Sequence, residues 1–186
     1  MKRLFSVTVL LFFAFSATSV FSQGREIKEV FSATTQSVEV GDSCFLPVLF
    51  HLSGGGRIYS KPETDSAFNS LYAFLKENPS VSIAFIVHSD PRPVIMTNDT
   101  LTAMRAKRIK EYTLEYYSDI APNRIIAIGM GARQPRIVTE EIHQQYDFLP
   151  VGQVLDLKFC DTIQDYQNRN IAFDLNRRTV VKIVEK

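Results

Sequence analysis

Val81-Ser82-Ile83-Ala84-Phe85-Ile86-Val87-His88-Ser89-Asp90, VSIAFIVHSD, is the stretch on which the fold turns. Its first seven residues are almost continuously apolar, as a strand covered on both faces requires. Three polar residues follow at the C-terminal end of that strand, where α/β sheets open their clefts. Upstream, Ser60-Lys61-Pro62-Glu63 reads as a capping box, with the Ser60 hydroxyl at the cap and the Glu63 carboxylate three residues on. Phe68, Leu71, Tyr72 and Leu75 continue it at helical spacing, and Asn78-Pro79 stops it. Downstream, Asp90-Pro91-Arg92-Pro93 leads into a second helix from about Asn98 to Tyr117, with Leu101, Arg105, Ile109, Tyr112 and Tyr116 along one stripe. Arg124 to Ile128 and Thr179 to Val184 read as further strands. Cys44 to His51 is an apolar run in which Pro47 argues for an edge or a bulge, and Gly54-Gly55-Gly56 breaks the chain after it. The succession predicts an α/β sandwich with a β-α-β-α-β core, its helices packed on a sheet. Residues 137–175 form a long insertion before the last strand, with a helix expected from Thr162 to Leu175.

The front of the chain has a different character. Lys2 and Arg3 precede an apolar run from Leu4 through Phe15, and Ser16 to Ser22 is small and polar. This is the layout of a secretory signal peptide, residues 1–22, with a cut before Gln23. A membrane anchor is the competing reading, and Ser16-Ala17-Thr18-Ser19 is too weakly apolar to favour it. No cysteine lies near the cut, which argues against a lipid-anchored form. Removing 22 of the 186 residues, with two of the 21 basic side chains, leaves 164 residues carrying 19 basic and 20 acidic groups. The near balance excludes attachment to nucleic acid by bulk electrostatics. Residues 23–42 read as a polar lead-in, and 43–186 as one domain.

Cys44 and Cys160 survive the cut and would meet an oxidising compartment. A bridge between them would close a long loop and contribute roughly 4 to 5 kcal/mol. Against it, Cys44 sits beside Phe45 and Leu46 in a strand-like run and reads equally as a buried thiol.

Arg105 lies near the start of the second helix on its inward-leaning stripe, where an unpaired buried charge is very costly. The nearest anion expected is Asp90, at the C-terminal end of a central strand. Two readings follow: an internal Asp90–Arg105 ion pair, or a split site gripping opposite ends of a zwitterion. In the second, the planar guanidinium pairs with a carboxylate.

The series His88-Ser89-Asp90, Asn98, Leu101-Thr102, Arg105-Ala106, Gly129-Met130-Gly131, Pro135 and Asn176-Arg177-Arg178 resembles the OmpA-like peptidoglycan-binding domain. That family carries H-[TS]-D, N, L-[ST]-x-x-R-A, G-x-G, P and N-R-R in this order, and the likeness runs from about Val40 to Lys186. The resemblance implies a non-catalytic envelope module of a Gram-negative periplasm, associated with the cell wall and outer membrane. It implies binding of meso-diaminopimelate in the stem peptide of peptidoglycan, Asp90 taking the ammonium and Arg105 the carboxylate. Asn98 would order the loop or touch the ligand. Leu101 and Thr102 belong to the same motif, and Arg178 is the arginine of the N-R-R pair carried over to the pocket. Where many members have a glycine soon after the aspartate, this chain has Pro91-Arg92-Pro93, which fixes φ twice and removes two N–H donors.

Other chemistries fail on spacing. Neighbours along a strand point to opposite faces, so His88, Ser89 and Asp90 cannot form a hydrolytic triad. Gly54-Gly55-Gly56-Arg57 lacks the later residues of a phosphate loop. His51, His88 and His143 and the two cysteines have no metal-ligand spacing, so neither metal nor cofactor is expected. Asn98-Asp99-Thr100 fits a glycosylation acceptor by coincidence. Residues 4–22 hold no acidic group, which excludes an ion-channel stator. The alternative function is a fold of the same kind without its ligand, serving as an interaction subunit of an envelope assembly. Its motives are the double-proline loop and the apolar Phe148, Leu149 and Phe159 of the insertion.

Overall fold

The computed structural model describes residues 24–50, 58–59, 61–93 and 97–186. In chain order they form β1 (Glu26–Ile27), β2 (Ser43–Leu46), β3 (Leu49–Phe50), β4 (Ile58–Tyr59), α1 (Pro62–Glu77), β5 (Ser82–His88) and α2 (Asn98–Tyr116). A single 3-10 turn at Pro122–Arg124 leads into β6 (Ile125–Gly131), followed by α3 (Glu140–Gln145), α4 (Leu157–Cys160), α5 (Tyr166–Asn176) and β7 (Thr179–Glu185). Five strands share one mixed sheet in the order β1-β2-β7-β5-β6, while β3 and β4 pair separately. β5 runs parallel to β6 and antiparallel to β7, so the apolar run that predicted a buried strand lies inside the sheet and is buried along its whole length. No helix among the described residues is long and apolar enough to cross a membrane.

Both long helices cover one face. Phe68, Leu71, Phe74 and Leu75 of α1 and Ala106 and Ile109 of α2 share a core with Ile83, Phe85, Val87, Val181, Ile183, Cys44 and Leu46. Gly129 is required at the crossing of α2 and β6, where a Cβ would meet the Ala103 backbone nitrogen at 2.2 Å. The other face carries Ala84, Ile86, Met130 and Val184 as a smaller apolar cluster. β6 forms one margin of the sheet, and two of its carbonyls are taken by side chains. Lys110 Nζ donates to Ile125 O at 2.6 Å and Arg133 Nη2 to Gly129 O at 3.0 Å.

Several boundaries differ from expectation for local reasons. The run from Cys44 to His51 is not one strand: β2 ends at Leu46, before Pro47, whose carbonyl accepts the Thr64 hydroxyl of α1 at 2.8 Å. His51 and the Gly54–Gly56 segment lie outside the described residues. The first helix starts at Pro62, with Lys61 at the cap position and no side-chain cap bond, because a proline is suited to the first helical turn. Ser60 lies outside the described residues. The helix expected over Thr162–Leu175 starts at Tyr166, where the Asp165 side chain accepts from Asn168 N–H and caps it. The stretch from 23 to 42 is more than a lead-in: β1 pairs with β2, and Phe31 is fully buried, stacked on Phe74 at 5.1 Å.

The insertion builds a core of its own from Val138, Leu149, Leu155, Cys160, Ala172 and Phe173. Leu149 is therefore buried rather than exposed, and His143 Nδ1 lies 2.8 Å from its carbonyl oxygen. Cys44 sits in the main core and Cys160 in this second one; both are free thiols, so the bridge weighed from the sequence is not formed. Burial pushes their thiols up, to about 12 for Cys44 and about 11 for Cys160.

Candidate functional site

The site grows from the end of β5. The β5–β6 register shifts between Val87 and His88, and the chain then turns out of the sheet at Asp90. Asn98, the first residue of α2, holds that turn: its Nδ2 donates to the carbonyls of Asp90 and Arg92, at 3.2 Å each. Thr97 caps the helix by accepting from Thr100 N–H. Thr102 is fully buried and ties α2 to β6: its hydroxyl donates to Asn98 O at 2.8 Å and accepts Gly131 N–H at 2.9 Å. Its role is therefore internal. Leu101 is half-buried on the same turn, its N–H donating to Thr97 O.

Among the described residues, the Asp90 carboxylate accepts four hydrogen bonds. Arg92 supplies three, from its backbone N–H at 3.1 Å, Nε at 2.9 Å and Nη2 at 3.0 Å, and Arg177 Nη1 supplies the fourth at 3.0 Å. An ionised carboxylate offers about four acceptor positions, so this one is filled from within the chain. Burial pushes its pKa up, and the hydrogen bonds from Arg92 and Arg177 outweigh that, leaving it below the usual range. The insertion buttresses both arginines: the Arg92 guanidinium lies 4.5 Å from the Phe173 ring centroid, and Arg177 pairs with Asp174.

Arg105 faces this cluster from the second turn of α2. Its guanidinium lies 4.9 Å from the Phe50 ring centroid, and its buried Nε has no hydrogen-bond partner among the described residues. Burial lowers its pKa and the Arg177 charge lowers it further, while Asp90 raises it. The ion partners of Asp90 are Arg92 and Arg177, not Arg105. One carboxylate thus shares its surroundings with three guanidinium groups. Such a cluster holds a carboxylate or other oxyanion readily, and an ammonium only where Arg92 gives way.

Arg178 lies elsewhere. It donates to Asn176 O at 3.2 Å and Gln134 O at 3.0 Å, on the face away from the two long helices, while Arg177 reaches Asp90. Consecutive residues in extended chain point to opposite sides, and Thr179 opposite Val87 sets which of the two arginines goes where. The sequence reading carries Arg178 to the site and assigns no role there to Arg177, the Arg92 side chain, Phe173 or Asp174; the pairing register at Thr179 is the signal that separates Arg177 from its neighbour. Ser89 Oγ, like His88 Nδ1, is buried without a hydrogen-bond partner among the described residues. Among the described residues, no group of three or more His, Cys, Asp or Glu is placed to hold a metal ion.

Three solved structures are similar in fold. A protein of Desulfovibrio vulgaris described as MotB-like is 17% identical, over 77% of this chain and 72% of that one, with a TM-score of 0.48. The cell wall anchor of the T6SS from Pseudomonas aeruginosa is 15% identical over 74% and 76%, with a TM-score of 0.44. The OmpA-like domain of FopA1 from Francisella tularensis is 14% identical over 86% and 92%, with a TM-score of 0.43. No family model matches the chain, and no curated protein matches its sequence.

Proposed function

We propose that this chain is a non-catalytic module of the bacterial cell envelope that binds peptidoglycan through the meso-diaminopimelate of the stem peptide. Arg105 takes a ligand carboxylate and Asp90 the ammonium. The observation that carries the reading is Arg105 itself: a half-buried guanidinium whose Nε has no partner among the described residues, within electrostatic reach of a carboxylate held ionised. An arginine left in that state is stabilised by an incoming carboxylate, and Asp90 sits close enough to act on its charge. The order of motifs from His88 to Arg178 supports the same reading. Export through residues 1–22 would deliver the protein to the periplasm, where the wall presents the ligand in many copies. Rebinding on such a lattice compensates for a weak single contact.

The test is co-sedimentation of residues 23–186 with sacculi containing diaminopimelate. The parent protein pellets with the wall, and Arg105→Ala and Asp90→Ala stay in the supernatant. Equal pelleting of parent and both variants overturns the proposed mode. One observation favours a second reading, a ligand-less interaction subunit of an envelope assembly: Asp90 is already saturated by Arg92 and Arg177. Absence of wall binding by the parent, with a stable complex recovered from envelope extracts, would select it.

A further inference from the structure

The sheet face turned away from α1 and α2 carries a second charged cluster, and strand register dictates it. Ala84 pairs with Lys182 and Ile86 with Val180, so His88 falls opposite Arg178, whose carbonyl accepts the His88 N–H at 2.9 Å. On β2, Ser43 pairs with the same Lys182 and Phe45 with the same Val180. Residues opposite each other on paired strands share a face, which gathers these side chains. Arg136 joins them from the loop after β6, its guanidinium 4.5 Å from the Phe45 ring centroid and doubly bonded to Glu26 at 3.0 and 3.1 Å.

These residues wall a cavity of about 170 Å³. Arg136, Arg178 and Lys182 bring three positive charges to it, and Glu26 is the one carboxylate among the described residues that line it. Glu26 is engaged by Arg136, and Arg178 donates to two backbone carbonyls. At the wall sits His88, only 4% exposed, its Nδ1 without a hydrogen-bond partner among the described residues. A buried ring nitrogen left unpaired is costly, as is a cluster of like charges withdrawn from water. An oxyanion relieves both. At roughly 30 Å³ per water, the space suits a small anion with a little solvent and is smaller than the cavities that enclose larger organic ligands.

We propose that this cavity binds a phosphate group, with the Nδ1–H tautomer of His88 donating to it and Arg178, Lys182 and Arg136 supplying the positive field. The site is distinct from the Asp90–Arg105 cluster, since Arg177 and Arg178 diverge to the two places. Burial, then the charges of Arg178 and Arg136, depress His88 to about 3, so the empty site holds a neutral ring. A bound anion reverses the local field and raises that titration; Glu26, Lys182 and Cys44 are the other ionisable groups among the described residues that line the cavity.

The test is a titration of the purified protein with inorganic phosphate at constant ionic strength, followed at the His88 ring by NMR. A saturable shift and an upward move of the His88 titration are expected, with no response to chloride. Arg178→Gln and Lys182→Gln should each weaken binding by about tenfold. Lys182→Gln keeps the test decisive if loss of the Arg178 contacts to Gln134 and Asn176 disturbs the fold. Phosphatidylcholine vesicles with and without phosphatidylglycerol form the second arm. Vesicle binding that needs the anionic lipid, and is lost in both variants, assigns the phosphate to a lipid headgroup; saturation by free phosphate alone assigns it to a soluble anion. No response of His88 to either probe, or parental affinity in both variants, overturns the proposal.

Discussion

If Asp90 takes a ligand ammonium as proposed, replacing Arg92 with alanine should tighten binding of that ligand. In the free protein the Arg92 side chain gives Asp90 two charge-assisted bonds, at 2.9 and 3.0 Å, and rests on Phe173. A ligand ammonium seeking the same oxygens must first displace it. The side chain is 40% exposed, so the ion pair is screened and worth about 0.2 to 1 kcal/mol, with the aromatic contact adding about 0.5 to 1 kcal/mol. Arg92→Ala removes that competition and keeps the bonds from the Arg92 backbone N–H and from Arg177, which hold Asp90 in place. Affinity for a diaminopimelate-containing stem peptide should therefore rise by about 0.7 to 2 kcal/mol, roughly 3- to 30-fold. Calorimetric titration of parent and variant measures it, with Arg105→Ala as the non-binding control. Weaker binding by Arg92→Ala would refute the reasoning and make Arg92 a ligand contact; unchanged affinity would show that the ligand does not use Asp90.

Gly129→Ala should destabilise the protein by about 3 kcal/mol, because the new Cβ lands on the Ala103 backbone rather than on a movable side chain; chemical denaturation measures the loss. Thr102→Val keeps the volume but strips the partner from the buried Gly131 N–H, costing about 1 to 3 kcal/mol and speeding amide exchange at Gly131. Acid should loosen the lead-in before the core. Hydrogen bonds from the Arg25 side chain and the Glu39 and Arg25 backbone hold Asp42 at about 2, against the opposing effect of burial. The stabilisation is complete above the unfolded carboxyl range near 4 and is lost as pH falls toward 2. A melting temperature that drops across that window in the parent, and is flatter in Asp42→Asn, is the expected result.

The sequence reveals the sheet best where burial is total. VSIAFIV announces β5 because both its faces are covered, and α1 and α2 show their apolar stripes. β1 was illegible for the opposite reason: two residues, Glu26 and Ile27, become a strand only because Ser43 and Cys44 lie alongside. Asp90, Asn98 and Arg105 were legible as a motif, and they meet at one end of the sheet. What the motif could not convey is who else arrives. The double-proline loop reads as a loss of N–H donors, yet its consequence is to aim the intervening Arg92 side chain at Asp90. Phe173 meets Arg92, and Arg177, itself paired with Asp174, meets Asp90, across more than eighty residues of chain, a distance over which residue spacing carries no information.

The outer margin of β6 has a consequence for crowding. An unpaired strand edge is a template on which another chain can extend the sheet. With Lys110 on the Ile125 carbonyl and Arg133 on the Gly129 carbonyl, an arriving strand must first evict two charged side chains. Arg133 is itself held there by Asp99 at 3.0 Å, so its cover of the edge is anchored from α2. Fibril growth is thus discouraged by side chains that lie outside the Asp90–Arg105 cluster.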